Sequence, residues 1–219
     1  IDKDSSDSLI ALWESDKSFF EPMMGLHPCS VKGNFREELD AIFAYFLRQK
    51  IQIVGEIGLD YYWSTEYKQQ QIDAFRWQIG FAKENKMPIA VHCRNAFDDI
   101  LNILEEEQDG NLTGVLHCFS GNENQAKRLI DNNFMLGLGG VLTFKNSGLD
   151  KVIANIDMKH LILETDAPYL SPTPYRGKRN ETSYILYVAE KLAQVKSISL
   201  EEVADITTQN AIDLFGLEM

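Results

Sequence analysis

Cysteine is scarce in this sequence. The three residues, Cys29, Cys93 and Cys118, are an odd number without paired C-x-x-C spacing. That excludes a disulfide framework and a cysteine-rich structural zinc site, and points to a reducing, cytoplasmic setting. Long apolar runs are missing too: none approaches the ~20 residues that span a bilayer, so no membrane association is expected. The opening segment, IDKDSSDSL, is polar and acidic and lacks the apolar stretch of a secretory signal. Positive charge is short, with 21 Lys and Arg against 33 Asp and Glu and a net charge of −12. This excludes the broad basic footprint of a protein that wraps long nucleic acid. A cleft that grips only a strand end stays compatible, because bound cations dominate the field inside a metal site. The phosphate-loop pattern G-x-x-x-x-G-K-[ST] and the nucleophile elbow G-x-S-x-G are both absent. Linkers, repeats and low-complexity stretches are absent as well, so residues 1–219 are expected to form a single domain.

What is present is an alternation. Near-continuous apolar runs at 19–26, 51–57, 88–92, 113–117, 134–138 and 160–165 read as strands buried on both faces. Amphipathic patterns separate them. Phe35, Leu39, Ile42 and Phe46 recur at helical spacing over 35–47, as do Ile72, Phe75, Ile79 and Ala82 over 66–85, and Ile185, Val188, Leu192 and Val195 after the last strand. A final helix opens on the capping box Ser199-Leu-Glu-Glu202. Strand–helix alternation predicts an α/β fold with a parallel sheet, of the TIM (β/α)8 type. Six strands fall short of eight, the chain begins at Ile1, and its first methionine is Met23. The expectation is therefore that one β-α-β unit is missing ahead of Ile1.

The chemistry lies where the apolar runs end. Three of the four histidines sit there: His27 in MMGLHP, His92 in PIAVHCR and His117 in GVLHCFSG. Carboxylates end two more, Glu56 in IQIVGEIGLD and Asp166 in HLILETDAP. In a parallel barrel, strand C-termini converge on one face, so this layout predicts a metal site. Imidazole and carboxylate together suit one or two divalent ions of the Mg, Mn or Zn kind. A carboxylate such as Glu56 inside an apolar strand is costly unless paired or metal-bound, and no strand candidate supplies a cation. His92 and His117 read as ligands, and His27 stays open between ligand and substrate contact. Residues two apart share a strand face, so Arg94 faces with His92, and Glu164 faces with Asp166 one layer lower, placed to orient a ligand or a water. The long segment 167–180 carries Arg176 and Lys178, the densest basic cluster in an acidic chain, and reads as a phosphate contact.

The motifs GLHP, VGEIGLDYY, PIAVHCR, GVLHCFSG, LGLGGVLTFK and LILETDAPYL, followed by RGKRNE, resemble the TatD-type metal-dependent DNases of the amidohydrolase superfamily over about residues 19–215. The resemblance implies a TIM barrel with up to two divalent metals. It implies Glu56 as a bridging carboxylate, His92 and His117 as metal ligands, and Asp166 as both ligand and general base. His27, Arg94 and the loop with Arg176 and Lys178 take the substrate-phosphate side. The family's first-strand His-x-His has no counterpart here, in keeping with the expected missing unit. The implied activity is hydrolysis of DNA phosphodiesters by metal-activated water, in the manner of a 3′-end exonuclease. Hydrolysis of a small amide, lactone or phosphoester on the same scaffold is the alternative, as is a metal-binding barrel without catalysis. DNA ends or a small phosphoester are the expected partners, with no obligate protein partner.

Overall fold

The computed structural model describes residues 1–217. It divides into two compact units, Ile1–Gly114 and Val115–Met219. The first holds α1 (Lys3–Ser15), β1 (Met23–Met24), α2 (Phe35–Phe43), β2 (Ile53–Asp60), α3 (Lys68–Asn85), β3 (Ile89–Arg94) and α4 (Phe97–Glu107). Strand β4 (Gly114–Leu116) lies at the boundary. The second holds α5 (Glu123–Asp131), β5 (Phe134–Leu138), α6 (Leu149–Ala154), β6 (Leu161–Leu163), α7 (Ile185–Lys196) and α8 (Leu200–Phe215). The fold is α/β, with strands and helices alternating as the sequence predicts.

In the first unit β2 runs parallel to β1, with Met24 beside Val54, and parallel to β3, with Gly58 beside His92 and Asp60 beside Arg94. In the second, β5 and β6 are parallel, with Leu138 beside Leu163. Parallel neighbours need a crossover, and helices supply it. Strand β2 is apolar on both faces because both are covered: Ile53, Val54, Ile57 and Leu59 are all buried. Helix α3 turns Gln71, Ala74, Phe75, Gln78, Ile79 and Ala82 inward, at the three-and-four spacing read from the sequence. The capping box at the start of α8 forms as expected: Glu202 N donates to Ser199 Oγ at 3.1 Å, and Ser199 N donates to Glu202 Oε2 at 2.9 Å.

Several boundaries differ from the sequence reading. The strand expected over 19–26 shrinks to Met23–Met24. Phe19 N and Phe20 N instead close a turn onto Asp16 O, and Pro22, without an N–H, cannot extend a ladder. Strand β2 continues to Asp60, so Glu56 sits within the strand rather than at its exit, where pairing to β3 slips register between Val54 and Ile57. Strand β3 runs on to Arg94, while β4 and β6 are shorter than their apolar runs. Helix α2 stops at Phe43, short of 47. Helix α1 was not expected; it is capped by Asp2 and buries Ser6, Ile10 and Trp13.

Candidate metal and phosphate site

In the first unit the register slip turns Glu56 toward two histidines. Its Oε1 lies 2.7 Å from His92 Nδ1 and 3.4 Å from His27 Nε2, and the two rings are 4.6 Å apart. One donor atom from each of His27, Glu56 and His92 lies within 4.8 Å of the others, a spacing that can hold an ion. Asp60, which the sequence reading passed over, makes the set more specific. It is buried, and its Oδ2 lies 3.0 Å from His92 Nε2. Burial works to raise this carboxyl. The Tyr62 N–H, His92 and the Cys29 thiol outweigh it and hold Asp60 below the usual carboxylate range. His92 is thus held between two carboxylates, Glu56 at Nδ1 and Asp60 at Nε2. A carboxylate behind the imidazole is how metal-binding histidines are commonly oriented. Imidazole and carboxylate donors at this spacing fit a divalent cation.

His27 is different. Its Nδ1 accepts a hydrogen bond from Cys29 N at 3.1 Å, capping the short turn Pro28–Ser30. A neutral ring that accepts at Nδ1 carries its proton on Nε2, so the atom facing Glu56 is a donor. Spacing alone groups His27 with the ligands, but the tautomer makes it a hydrogen-bond donor to an anionic oxygen. Cys29 is no nucleophile: burial, then Asp60, pushes its thiol up to about 12.

Two buried glutamines of α3 clamp the strands that carry these groups. Gln78 accepts from Leu26 N at 2.7 Å and donates to Leu26 O at 3.2 Å, one residue before His27. Gln71 accepts from Asp60 N at 2.9 Å and donates to Asp60 O at 3.1 Å. Gly58 is required between them. Its φ is +139°, and a Cβ there would meet His92 O at 2.1 Å. Arg94, exposed at the end of β3, lays its guanidinium over Tyr62 at 3.6 Å and lies 5.4 Å from the Trp63 ring. Tyr62 is 51% and Trp63 73% exposed, so the strand exit presents a cation among open aromatic faces.

In the second unit, Glu164 Oε2 lies 3.5 Å from His117 Nδ1, while its Oε1 accepts from Cys118 N. This is the position of a carboxylate that orients a histidine. His117, Cys118 and Glu164 form the second group with ligand spacing. Burial above all pushes the Cys118 thiol up to about 12. Gly137 makes room for the pair, since a Cβ there would meet Glu164 Oε1 at 2.8 Å and His117 Cα at 3.0 Å. Asp166 is half-buried with a φ of +54°, and its carbonyl accepts from Tyr169 N at 2.7 Å. The loop that follows is built rather than loose: Asn180 Nδ2 donates to Thr165 O and Tyr169 O, both at 2.6 Å. On it, Arg176 lies 3.6 Å over the Phe144 ring, and Lys178 Nζ lies 5.8 Å from the centre of Tyr175.

The structure therefore brings His27, Glu56 and His92 together in one unit, with Arg94 at the same strand end. It brings His117 and Glu164 together in the other, where Arg176 and Lys178 stand on separate aromatic rings. The TatD related DNase family model matches residues 1–216. The chain belongs to this family. The uncharacterized metal-dependent hydrolase YabD of Bacillus subtilis (strain 168) is 42% identical over 200 residues, 91% of this chain and 78% of that protein. The uncharacterized metal-dependent hydrolase YcfH of Escherichia coli (strain K12) is 36% identical over 196 residues, 89% of this chain and 73% of that protein. The crystal structure of YJJV, a TatD homologue from Escherichia coli k12, superposes with a TM-score of 0.90 at 27% identity, covering 99% of this chain and 84% of that one. As a TatD-family chain with two candidate ligand groups, it is a metal-dependent hydrolase with a divalent metal cofactor. Among the described residues, no helix is long and apolar enough to cross a membrane.

Proposed function

We propose that this TatD-family hydrolase cleaves phosphodiester bonds of DNA, working inward from a 3′ end. The observation that carries the reading is Arg94. It shares a strand with the candidate ligand His92, two residues away, and its guanidinium rests on Tyr62 beside exposed Trp63. A planar cation suits a phosphate, and open aromatic faces suit unpaired bases; a site for a simple amide or lactone needs neither. In an acidic chain, contact confined to a strand end also fits the charge balance.

In this reading Glu56 and His92 in the first unit, and His117 and Asp166 in the second, are ligands of divalent ions. Such ions, when bound, supply a Lewis acid and ease deprotonation of water. Asp60 and Glu164 hold the two ligand histidines in one tautomer and orientation. His27 donates from Nε2, and Arg94 through its guanidinium, to phosphate oxygens whose charge grows in the transition state. Asp166 takes the proton of the attacking water as the new P–O bond forms and the P–O3′ bond breaks. The departing O3′ takes a proton from solvent water, so the shortened strand leaves with a 3′ hydroxyl and the released nucleotide carries the 5′ phosphate. Three cysteines, none of them in a disulfide, support a reducing cytoplasm as the place of action.

The test uses protein stripped of metal and reloaded with Mg²⁺, Mn²⁺ or Zn²⁺. Single-stranded DNA labelled at its 5′ end should yield a descending ladder, and the same strand blocked at its 3′ end should resist. Hydrolysis of lactone or amide substrates in preference to either strand would overturn the reading.

A further inference from the structure

The second unit contains a cleft of about 590 Å³ that the reading above leaves unused. Its walls include Ser120, Phe144, Lys145, Asn146, Thr173 and Arg176. Of these only Arg176 was expected to touch substrate; Lys145, from the run LTFK, was not singled out. None of the described residues lining the cleft is acidic, in a chain with 33 carboxylates against 21 Lys and Arg. Both cations are exposed, and among the described residues neither is salt-bridged to a carboxylate.

The walls are fixed to each other. Thr173 N donates to Thr143 Oγ1 at 2.8 Å, and Thr173 Oγ1 donates to Thr143 O at 3.2 Å, tying the basic loop to the segment that carries Phe144 and Lys145. Arg176 is preset by its stack on Phe144 at 3.6 Å. A guanidinium held flat on a ring keeps its edge free for anionic oxygens and loses little freedom on binding. Ser120, Asn146 and Thr173 add neutral hydrogen-bonding groups. The volume lies within the ~300–1,000 Å³ of small-molecule sites.

We propose that this cleft is a strand-holding subsite, in which Lys145 and Arg176 grip a backbone phosphate of a single-stranded DNA substrate. The proposal rests on the phosphodiesterase reading for its choice of ligand. It gives an acidic protein a local, two-cation hold on a polyanion, separate in function from the groups that carry out hydrolysis.

Binding is measured with the whole, metal-loaded chain and a dye-labelled phosphorothioate oligodeoxynucleotide that resists cleavage, by anisotropy across a salt series. Lys145→Gln and Arg176→Gln should each weaken binding by about tenfold and reduce the steepness of log K against log salt by about 0.7, the share of one phosphate contact on a single strand. Lys127→Gln removes the same charge from the exposed face of α5 and should change neither quantity. Thermal unfolding of each variant checks that the fold is kept. Binding that is indifferent to Lys145 and Arg176, or that Lys127→Gln weakens as much as they do, overturns the subsite, as does no binding at all. The two readings fail separately. Binding that depends on Lys145 and Arg176 without cleavage of the unmodified strand leaves the subsite standing and removes the nuclease. Cleavage without that dependence does the reverse.

Discussion

At the scale of single residues, the site's selectivity rests on protons placed by neighbours. Asp60 is buried and lies 3.0 Å from one nitrogen of His92, with Glu56 at the other, so the ring is held from both sides. Asp60→Asn keeps the shape but offers either an amide N–H or a neutral carbonyl to His92 Nε2. Metal affinity should fall by about 10–100-fold with little change in the circular dichroism spectrum. An unchanged metal titration would show that Asp60 does not set the ring. The sequence could have revealed this residue: Glu56, Gly58 and Asp60 share parity along β2. Ending the strand at 57 hid it. His27 is the opposite case. Its position beside a proline was legible, but its role turns on the Cys29 N–H reaching Nδ1, a contact set by the turn and by nothing in the apolar pattern. Glu164 was expected to face with Asp166 and orient a ligand or a water, and the structure sets it against His117. Its hold on both Cys118 N and His117 depends on Gly137 leaving space, which spacing alone does not reveal.

At the scale of elements, helix α3 is the frame for the first cluster. Gln71 and Gln78 lie two turns apart on its inward face, each spanning the N–H and C=O of one residue, Asp60 at the end of β2 and Leu26 just past β1. A helical pattern read for apolar residues treats buried glutamines as noise, so the frame was invisible while the helix itself was plain. Gln78→Leu fits the volume but strands a buried donor and acceptor at Leu26. It should cost about 2–5 kcal/mol by chemical denaturation and also slow phosphodiester cleavage through displacement of His27. A stable variant with the wild-type cleavage rate would mean the clamp is incidental. The ends of elements were least legible. Strand β1 survives as two residues because Pro22 and the Asp16 turn consume its expected start. The start of helix α8 was legible to the residue because its capping box is a local, reciprocal pair of hydrogen bonds.

At the scale of the whole molecule, alternation of strand and helix was readable because each buried strand is apolar on both faces and each helix on one. Family membership agrees with that reading over residues 1–216. A net charge of −12 sets the other constraint: substrate phosphate must be met by metal and by a few placed cations rather than by a general field. Arg94, Lys145 and Arg176 are those cations in this account. The central claim is that the Glu56 carboxylate, between His27 and His92, makes the chain a metal-dependent phosphodiesterase. The most direct measurement is the rate of DNA phosphodiester cleavage by Glu56→Gln beside the wild type, both at saturating divalent metal. Glu56 is only half-buried, so the fold should persist. The account predicts a fall of about 100-fold or more, as the loss of a charged ligand at a catalytic metal entails. A Glu56→Gln protein that cleaves DNA at the wild-type rate would contradict it.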